Sequence, residues 1–92
     1  MTESNSRTLK IVNEKGLHAR ASAKLVEVVE QYQGTATVTK DGMEASGDSI
    51  MGLLMLAASK GTFIDIETSG PEAEALADAL TKLVADKFGE ED

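Results

Sequence analysis

The single histidine of the chain, His18, lies in a segment whose residue types suit chemistry on phosphate groups, Gly16-Leu17-His18-Ala19-Arg20. The apolar residues after it recur with a helical period, which places His18 where a loop becomes a helix. The first N–H groups of a helix have no partner within it, and the positive end of the helix dipole attracts anions. We therefore expect an uncharged imidazole at about pH 7, able to attack a phosphoryl donor and to carry the group.

Three neighbours of the imidazole are expected to bind that group: Gly16, Ala19 and Arg20. The arginine offers a fork of N–H donors that matches phosphate oxygens, and the glycine lets the loop approach closely. A surface or capping role is the alternative for a lone histidine. A metal site is disfavoured because no second histidine is present and no carboxylates cluster at ligand spacing. A hydrolase is disfavoured because no second acid or base group neighbours His18 in the sequence.

A second segment of interest begins at Ser49, which is placed as the N-cap of a short apolar helix over Ile50–Ala58. Leu53 and Leu56 suit the core. Three other apolar side chains cannot all share that buried side and predict an exposed docking patch: Ile50, Met51 and Leu54. A phosphate on Ser49 would put about two negative charges beside this patch and switch docking, whereas the simpler interpretation of Ser49 is a helix cap alone.

Length and composition indicate a single domain over residues 1–92, with loose ends at 1–7 and 89–92. Hydrophobic residues make up 41% of the chain and cysteine is absent, which fits a globular protein in a reducing cytoplasm. The polar start lacks the order of a secretory signal, and the longest apolar stretch is far shorter than the roughly 20 residues of a membrane span. No membrane association is expected.

The formal net charge of −7 argues against nucleic acid as a partner, because duplex binding needs a dense basic surface. The acidic residues at the C-terminal end are interpreted as a solvated tail: Asp86, Glu90, Glu91 and Asp92. Lys24 follows His18 by less than two helical turns and is either a solvated lysine or a contact for an acidic partner. Tyr32 is expected to pack rather than to react.

Hydrophobic periodicity and turn residues predict the element order β-α-β-β-α-β-α. The predicted strands are 8–13, 35–40, 43–46 and 62–68, with Asp41-Gly42 as a hairpin turn. Helices are predicted from His18 to Gln33, over Ile50–Ala58 and after Ser69-Gly70-Pro71. This order predicts an α+β open-faced β-sandwich, a four-stranded antiparallel sheet with three helices covering one face.

The His18 segment and Ser49-Ile50-Met51-Gly52, about thirty residues apart, together resemble the histidine-containing phosphocarrier family HPr of the bacterial phosphoenolpyruvate-dependent phosphotransferase system. The resemblance runs from about Leu9 to Phe88. It implies that His18 is phosphorylated on Nδ1 by enzyme I, that Arg20 contacts the phosphoryl group, and that enzyme IIA domains accept it.

The same resemblance implies that Ser49 is a regulatory site, phosphorylated in many bacteria by an ATP-dependent HPr kinase/phosphorylase. It also implies that partners dock on Ile50, Met51 and Leu54. A carrier with one active face is expected to be monomeric, and its chemistry requires no cofactor or metal. Ala21 departs from the family pattern, where proline is common, and Glu27 makes the face around the helix less basic.

Three functions remain open at this point. The first is a phosphoryl carrier for sugar uptake. The second is the same carrier in a regulatory relay that controls nitrogen, potassium or carbon-storage metabolism without moving sugar. The third is a non-phosphorylated binding module that acts only through its apolar patch.

Overall fold

Alternating apolar and polar residues form an antiparallel sheet in the computed structural model, which describes residues 3–90. Its four strands, in chain order, are β1 (Glu3–Lys10), β2 (Thr35–Lys40), β3 (Met43–Ser46) and β4 (Phe63–Gly70). They lie side by side in the order β1-β4-β2-β3. The inner strands β4 and β2 turn Ile64, Ile66 and Val38 into the core, while the residues between them face solvent on the open side.

The helices cover the apolar face of this sheet. They are α1 (Ala19–Glu30), α2 (Ile50–Met55) and α3 (Ala73–Ala85). The buried side of α1 includes Leu25 and Val29, and that of α3 includes Leu76 and Leu80. The predicted open-faced sandwich with a four-stranded antiparallel sheet and three helices is therefore confirmed across the described residues.

The hairpin of β2 and β3 has the bounds that the sequence predicts. Asp41 and Gly42 join the strands with φ values of 50° and 81°, the left-handed region that such a two-residue turn requires. The helix ends differ from prediction by a few residues, as helix ends commonly do. The first helix stops at Glu30 instead of Gln33, and the second stops at Met55 instead of Ala58.

The N-terminal strand corrects a prediction. Residues 3–7 were expected to be loose, but they belong to β1 and pair with β4, from Glu3 opposite Gly70 to Arg7 opposite Ile66. The physical reason is that strand pairing is made by backbone N–H and C=O groups, which polar residues carry as apolar ones do, so polar side chains do not prevent pairing. Residues 1 and 2 lie outside the described residues.

The C-terminal end corrects a second prediction, because Gly89 and Glu90 are not a loose end. A short 3₁₀ turn, Lys87–Gly89, follows α3 and buries the Phe88 side chain completely. The Lys24 ammonium of α1 donates to the Phe88 carbonyl at 2.7 Å, which fixes the turn against α1. We call residues 86–90 the C-terminal turn; residues 91 and 92 lie outside the described residues.

Candidate functional site

His18 is the N-cap residue of α1, as its predicted place at the start of a helix requires. Its backbone is extended, with φ −81° and ψ −173°, and its carbonyl accepts the Ser22 N–H at 2.8 Å. The N–H groups of residues 19–21 precede this bond and have no partner within the helix. The imidazole is 27% exposed and therefore in reach of solvent, and it makes no capping hydrogen bond to these amides.

The loop before His18 is held by the chain that follows α2. The Leu17 N–H donates to the Ala58 carbonyl at 2.8 Å, and the Leu17 side chain is buried. Gly16 has φ +64°, and a Cβ there would lie 2.4 Å from the Ala58 oxygen. Gly16 is therefore required by its contact with Ala58, which fixes the approach of the chain to His18. The sequence predicted a close approach here but not its partner.

A carboxylate that sequence reasoning assigned to a solvated tail lies against the imidazole. Glu90 Oε2 is in hydrogen-bonding contact with His18 Nε2, although 72 residues separate the two in the chain. The Glu90 side chain is only 11% exposed. Its other oxygen, Oε1, accepts a hydrogen bond from Asn13 Nδ2 at 2.9 Å. The interpretation of Glu90 as solvated is therefore wrong.

Asn13 is the second residue of the site that the sequence reasoning missed. It is completely buried, and its Nδ2 also donates to the Gly16 carbonyl at 2.8 Å. One amide group thus links the loop before His18 to the C-terminal turn. No local pattern marks Asn13, because an asparagine where a predicted strand ends is an ordinary turn residue.

Two basic residues of α1 have different surroundings. Arg20, the second residue of the helix, is exposed. Lys24, one turn later, is half-buried, and its ammonium holds the Phe88 carbonyl. The structure therefore leaves Arg20 exposed two residues after His18 and gives Lys24 an internal bond in place of full solvation.

The helix α2 has the two faces that the sequence predicted. The Ser49 side chain caps it by accepting the Gly52 N–H at 3.0 Å. Leu53 and Leu56 are buried, whereas Ile50 and Met51 are exposed. Leu54 is half-buried, and Met55, which the sequence analysis did not single out, is 67% exposed. We call the residues on this outer side the α2 patch: Ile50, Met51, Leu54 and Met55.

Within residues 3–90, no group of three or more His, Cys, Asp or Glu side chains could hold a metal ion. None of the helices in that range combines the length and apolar character that a bilayer span needs.

The comparisons with known proteins agree with this fold. Residues 5–86 match the family described as "PTS HPr component phosphorylation site". A phosphocarrier protein HPr of Neisseria meningitidis serogroup A is 49% identical over 85 residues, 91% of this chain and 94% of that protein. A phosphocarrier protein NPr of Proteus mirabilis is 38% identical over 92% of this chain and 96% of that protein. The crystal structure of an HPr from Thermoanaerobacter tengcongensis superimposes with a TM-score of 0.90 at 34% identity, covering 96% of this chain and 99% of that one.

An open-faced β-sandwich with a histidine at the start of its first helix, matched over most of its length by phosphocarriers, defines a small phosphocarrier protein. The chain belongs to the HPr family of the phosphotransferase system. Proteins of this family interact with the enzymes of that system.

Proposed function

We propose that His18 accepts a phosphoryl group from phosphorylated enzyme I and passes it to an enzyme IIA domain in sugar uptake. The observation that carries this proposal is the part-exposed ring at the N-cap of α1, next to amides without partners inside the helix. Family membership supports the same role.

In the proposed step, the lone pair of His18 Nδ1 attacks the phosphorus atom held by enzyme I. A nitrogen–phosphorus bond forms as the bond between phosphorus and enzyme I breaks, and that bonding electron pair stays with enzyme I. Transfer to the acceptor domain repeats the exchange with His18 as the leaving group. The chain is thus a covalent intermediate between two enzymes and not itself an enzyme.

The charge on the phosphoryl oxygens is proposed to be met by the start of α1. The Ala19 amide and its neighbours offer donors and the positive end of the helix dipole. The exposed Arg20 guanidinium adds charge-assisted hydrogen bonds, which are about twice as strong as neutral ones. Gly16 serves this arrangement by holding the loop against Ala58.

The α2 patch is proposed as the docking surface for enzyme I and for the acceptor domains, in a monomeric carrier. Its side chains are apolar and exposed, and α2 packs against α1. Methionines adapt their shape to more than one surface, which suits a carrier with several partners. Lys24 is proposed only as a secondary contact, because its ammonium already holds the Phe88 carbonyl.

Ser49 is proposed as a regulatory phosphorylation site for an HPr kinase/phosphorylase. Its side chain is half-buried and lies directly before the α2 patch. A phosphate there would put about two negative charges next to an apolar docking surface and weaken docking.

The proposed transfer is tested by incubating the untagged protein with phosphoenolpyruvate and enzyme I. We expect an acid-labile, base-stable phosphate, as a phosphoramidate gives, and its loss in His18→Ala with the fold intact by circular dichroism. Label retained in His18→Ala would contradict the proposal.

The proposed regulation is tested with ATP and an HPr kinase. We expect an acid-stable label that is absent in Ser49→Ala. Ser46→Ala is the matched control, because Ser46 is a nearby exposed serine whose hydroxyl donates to Asp48 at 2.6 Å. Equal labelling of Ser49→Ala and the unsubstituted chain would contradict the assignment.

The regulatory relay is a second candidate because a relative named NPr aligns over 92% of this chain. Relatives named HPr are 49%, 42% and 40% identical to the chain, and the NPr is 38% identical, so transfer kinetics and not identity must separate the two roles. Transfer from the phosphorylated chain to a sugar-type IIA domain, compared with a regulatory-type one at equal concentration, separates the two. Faster transfer to the regulatory domain would favour the second candidate.

A further inference from the structure

The contact between Glu90 and His18 sets the proton position on the imidazole ring. A carboxylate accepts hydrogen bonds and cannot donate them. When the ring is neutral, the nitrogen that faces Glu90 must therefore carry the proton, and this nitrogen is Nε2. The proton on one ring nitrogen leaves the other with a free lone pair. Nδ1 is then the nucleophilic atom.

The orientation of the carboxylate is determined by Asn13. The Asn13 NH₂ group donates one hydrogen bond to the Gly16 carbonyl at 2.8 Å and one to Glu90 Oε1 at 2.9 Å. Both partners are acceptors, so the NH₂ group of Asn13 must face them. A flipped amide would place the Asn13 side-chain oxygen against these two oxygens. Glu90 is consequently held at Oε1 by a donor, and its Oε2 contacts His18.

The backbone that carries Glu90 is anchored independently of His18. Phe88 is completely buried, and its carbonyl accepts the Lys24 ammonium at 2.7 Å. The Gly89 N–H donates to the Asp86 carbonyl and the Glu90 N–H to the Lys87 carbonyl, each at 2.9 Å. The C-terminal turn therefore presents the carboxylate from a packed support.

We propose that Glu90 is a positioning residue that holds the neutral His18 ring in its Nε2–H tautomer and keeps Nδ1 unprotonated for phosphoryl transfer. This inference deepens the proposed function and rests on it for the identity of the attacking atom. The Nε2–H remains on its nitrogen when a phosphoryl group is bound to Nδ1, so the same contact serves both states and no proton has to move.

The substitution Glu90→Gln is expected to reverse the direction of this hydrogen bond. The Asn13 NH₂ group needs an acceptor, so it holds the amide oxygen of the introduced glutamine and turns the glutamine NH₂ group toward His18. That group donates, His18 Nε2 must accept, and the ring proton moves to Nδ1. Glu90→Ala only releases the ring. The near-isosteric glutamine is therefore expected to perturb the tautomer more than alanine does.

The test uses the full chain without a histidine tag, labelled with ¹⁵N-histidine. His18 is the sole histidine of the sequence, so the spectrum holds two ring nitrogens. At a pH where the ring is neutral, we expect a protonated Nε2 and an unprotonated Nδ1 in the unsubstituted chain. Glu90→Gln should populate the Nδ1–H form beyond Glu90→Ala. Glu30→Gln, which removes an exposed carboxylate at the far end of α1, should leave the spectrum unchanged.

A second readout is the initial rate of phosphorylation by limiting enzyme I. Glu90→Gln should slow it on the order of tenfold, as loss of a charge-assisted hydrogen bond does, with a smaller loss for Glu90→Ala and none for Glu30→Gln. The proposal is overturned if the Nδ1–H form is no more populated in Glu90→Gln than in Glu90→Ala. Should Glu90→Gln fail to fold, an unchanged tautomer in Glu90→Ala overturns it. The spectra are recorded without phosphorylation. A failure to phosphorylate His18 would therefore contradict the proposed function but not the proposed tautomer.

Discussion

His18 combines features that come from near and far in the chain. Its backbone position and its first-turn amides are local, since they follow from the helix that begins at Ala19. Its Nε2 partner comes from Glu90, held by Asn13. The residue types of the local segment therefore indicate the chemistry, while the distant carboxylate selects the reacting atom in the proposed mechanism.

Arg20 is expected to act on the phosphoryl group through its charge. Arg20→Gln keeps a hydrogen-bond donor but removes the cation and the fork. We expect the rate of phosphoryl uptake from enzyme I to fall roughly tenfold or more, as the loss of a charge-assisted hydrogen bond implies. Rapid-quench kinetics measure this rate. Lys10→Gln, an exposed cation on β1, is the control, and an equal loss in it would show that only net charge matters.

Gly16 is expected to be intolerant of any side chain. In Gly16→Ala, the left-handed backbone conformation costs about 1 kcal/mol, and the added Cβ clashes with the Ala58 backbone. The free energy of unfolding should therefore fall by about 2 kcal/mol or more. Gly42→Ala is the matched control because its φ is +81° and a Cβ there meets nothing within 4 Å. Urea denaturation compares the two, and equal losses would contradict the role of the Ala58 contact.

At the scale of elements, the sequence was most informative where one residue pattern decides the structure. The β2–β3 hairpin has its predicted bounds because alternation and the Asp41-Gly42 turn are local signals. The first strand was predicted from Thr8 onwards, since the polar residues before it show no alternation. Pairing with β4 makes residues 3–7 part of β1, and such pairing is not encoded in side-chain hydrophobicity.

Substitutions on the exposed side of α2 are expected to affect docking, whereas substitutions on its buried side are expected to affect stability. Met51→Ser should change the free energy of unfolding by less than about 0.5 kcal/mol, because its side chain is 70% exposed. It should raise the KM of enzyme I for the chain if the patch docks there. Leu53→Ala, from the buried side, should lower the free energy of unfolding by about 2–5 kcal/mol. An unchanged KM in Met51→Ser would argue against docking on this patch.

At the scale of the whole molecule, stability depends on the layer between β4 and the helices. Ile66 is 1% exposed and lies on an inner strand, so Ile66→Ala should lower the free energy of unfolding by about 2–5 kcal/mol. Phe63→Ala, on the same strand but 58% exposed, should cost less than about 1 kcal/mol. Chemical denaturation followed by circular dichroism measures both, and similar losses would contradict this assignment of the core.

The sequence by itself determined the element order, the apolar faces and the position of His18 at a helix start, because each depends on residues close together in the chain. The Ser49 cap and the exposed apolar side of α2 follow in the same way.

Only the tertiary structure decided the extent of β1, the need for glycine at Gly16 and the contact of Glu90 with His18. Each of these depends on segments that meet across the fold, and local periodicity carries no information on which distant residues meet. An acidic C-terminal sequence has the composition of a solvated tail. In the fold, however, the buried Phe88 fixes the C-terminal turn, and Glu90 contacts the imidazole.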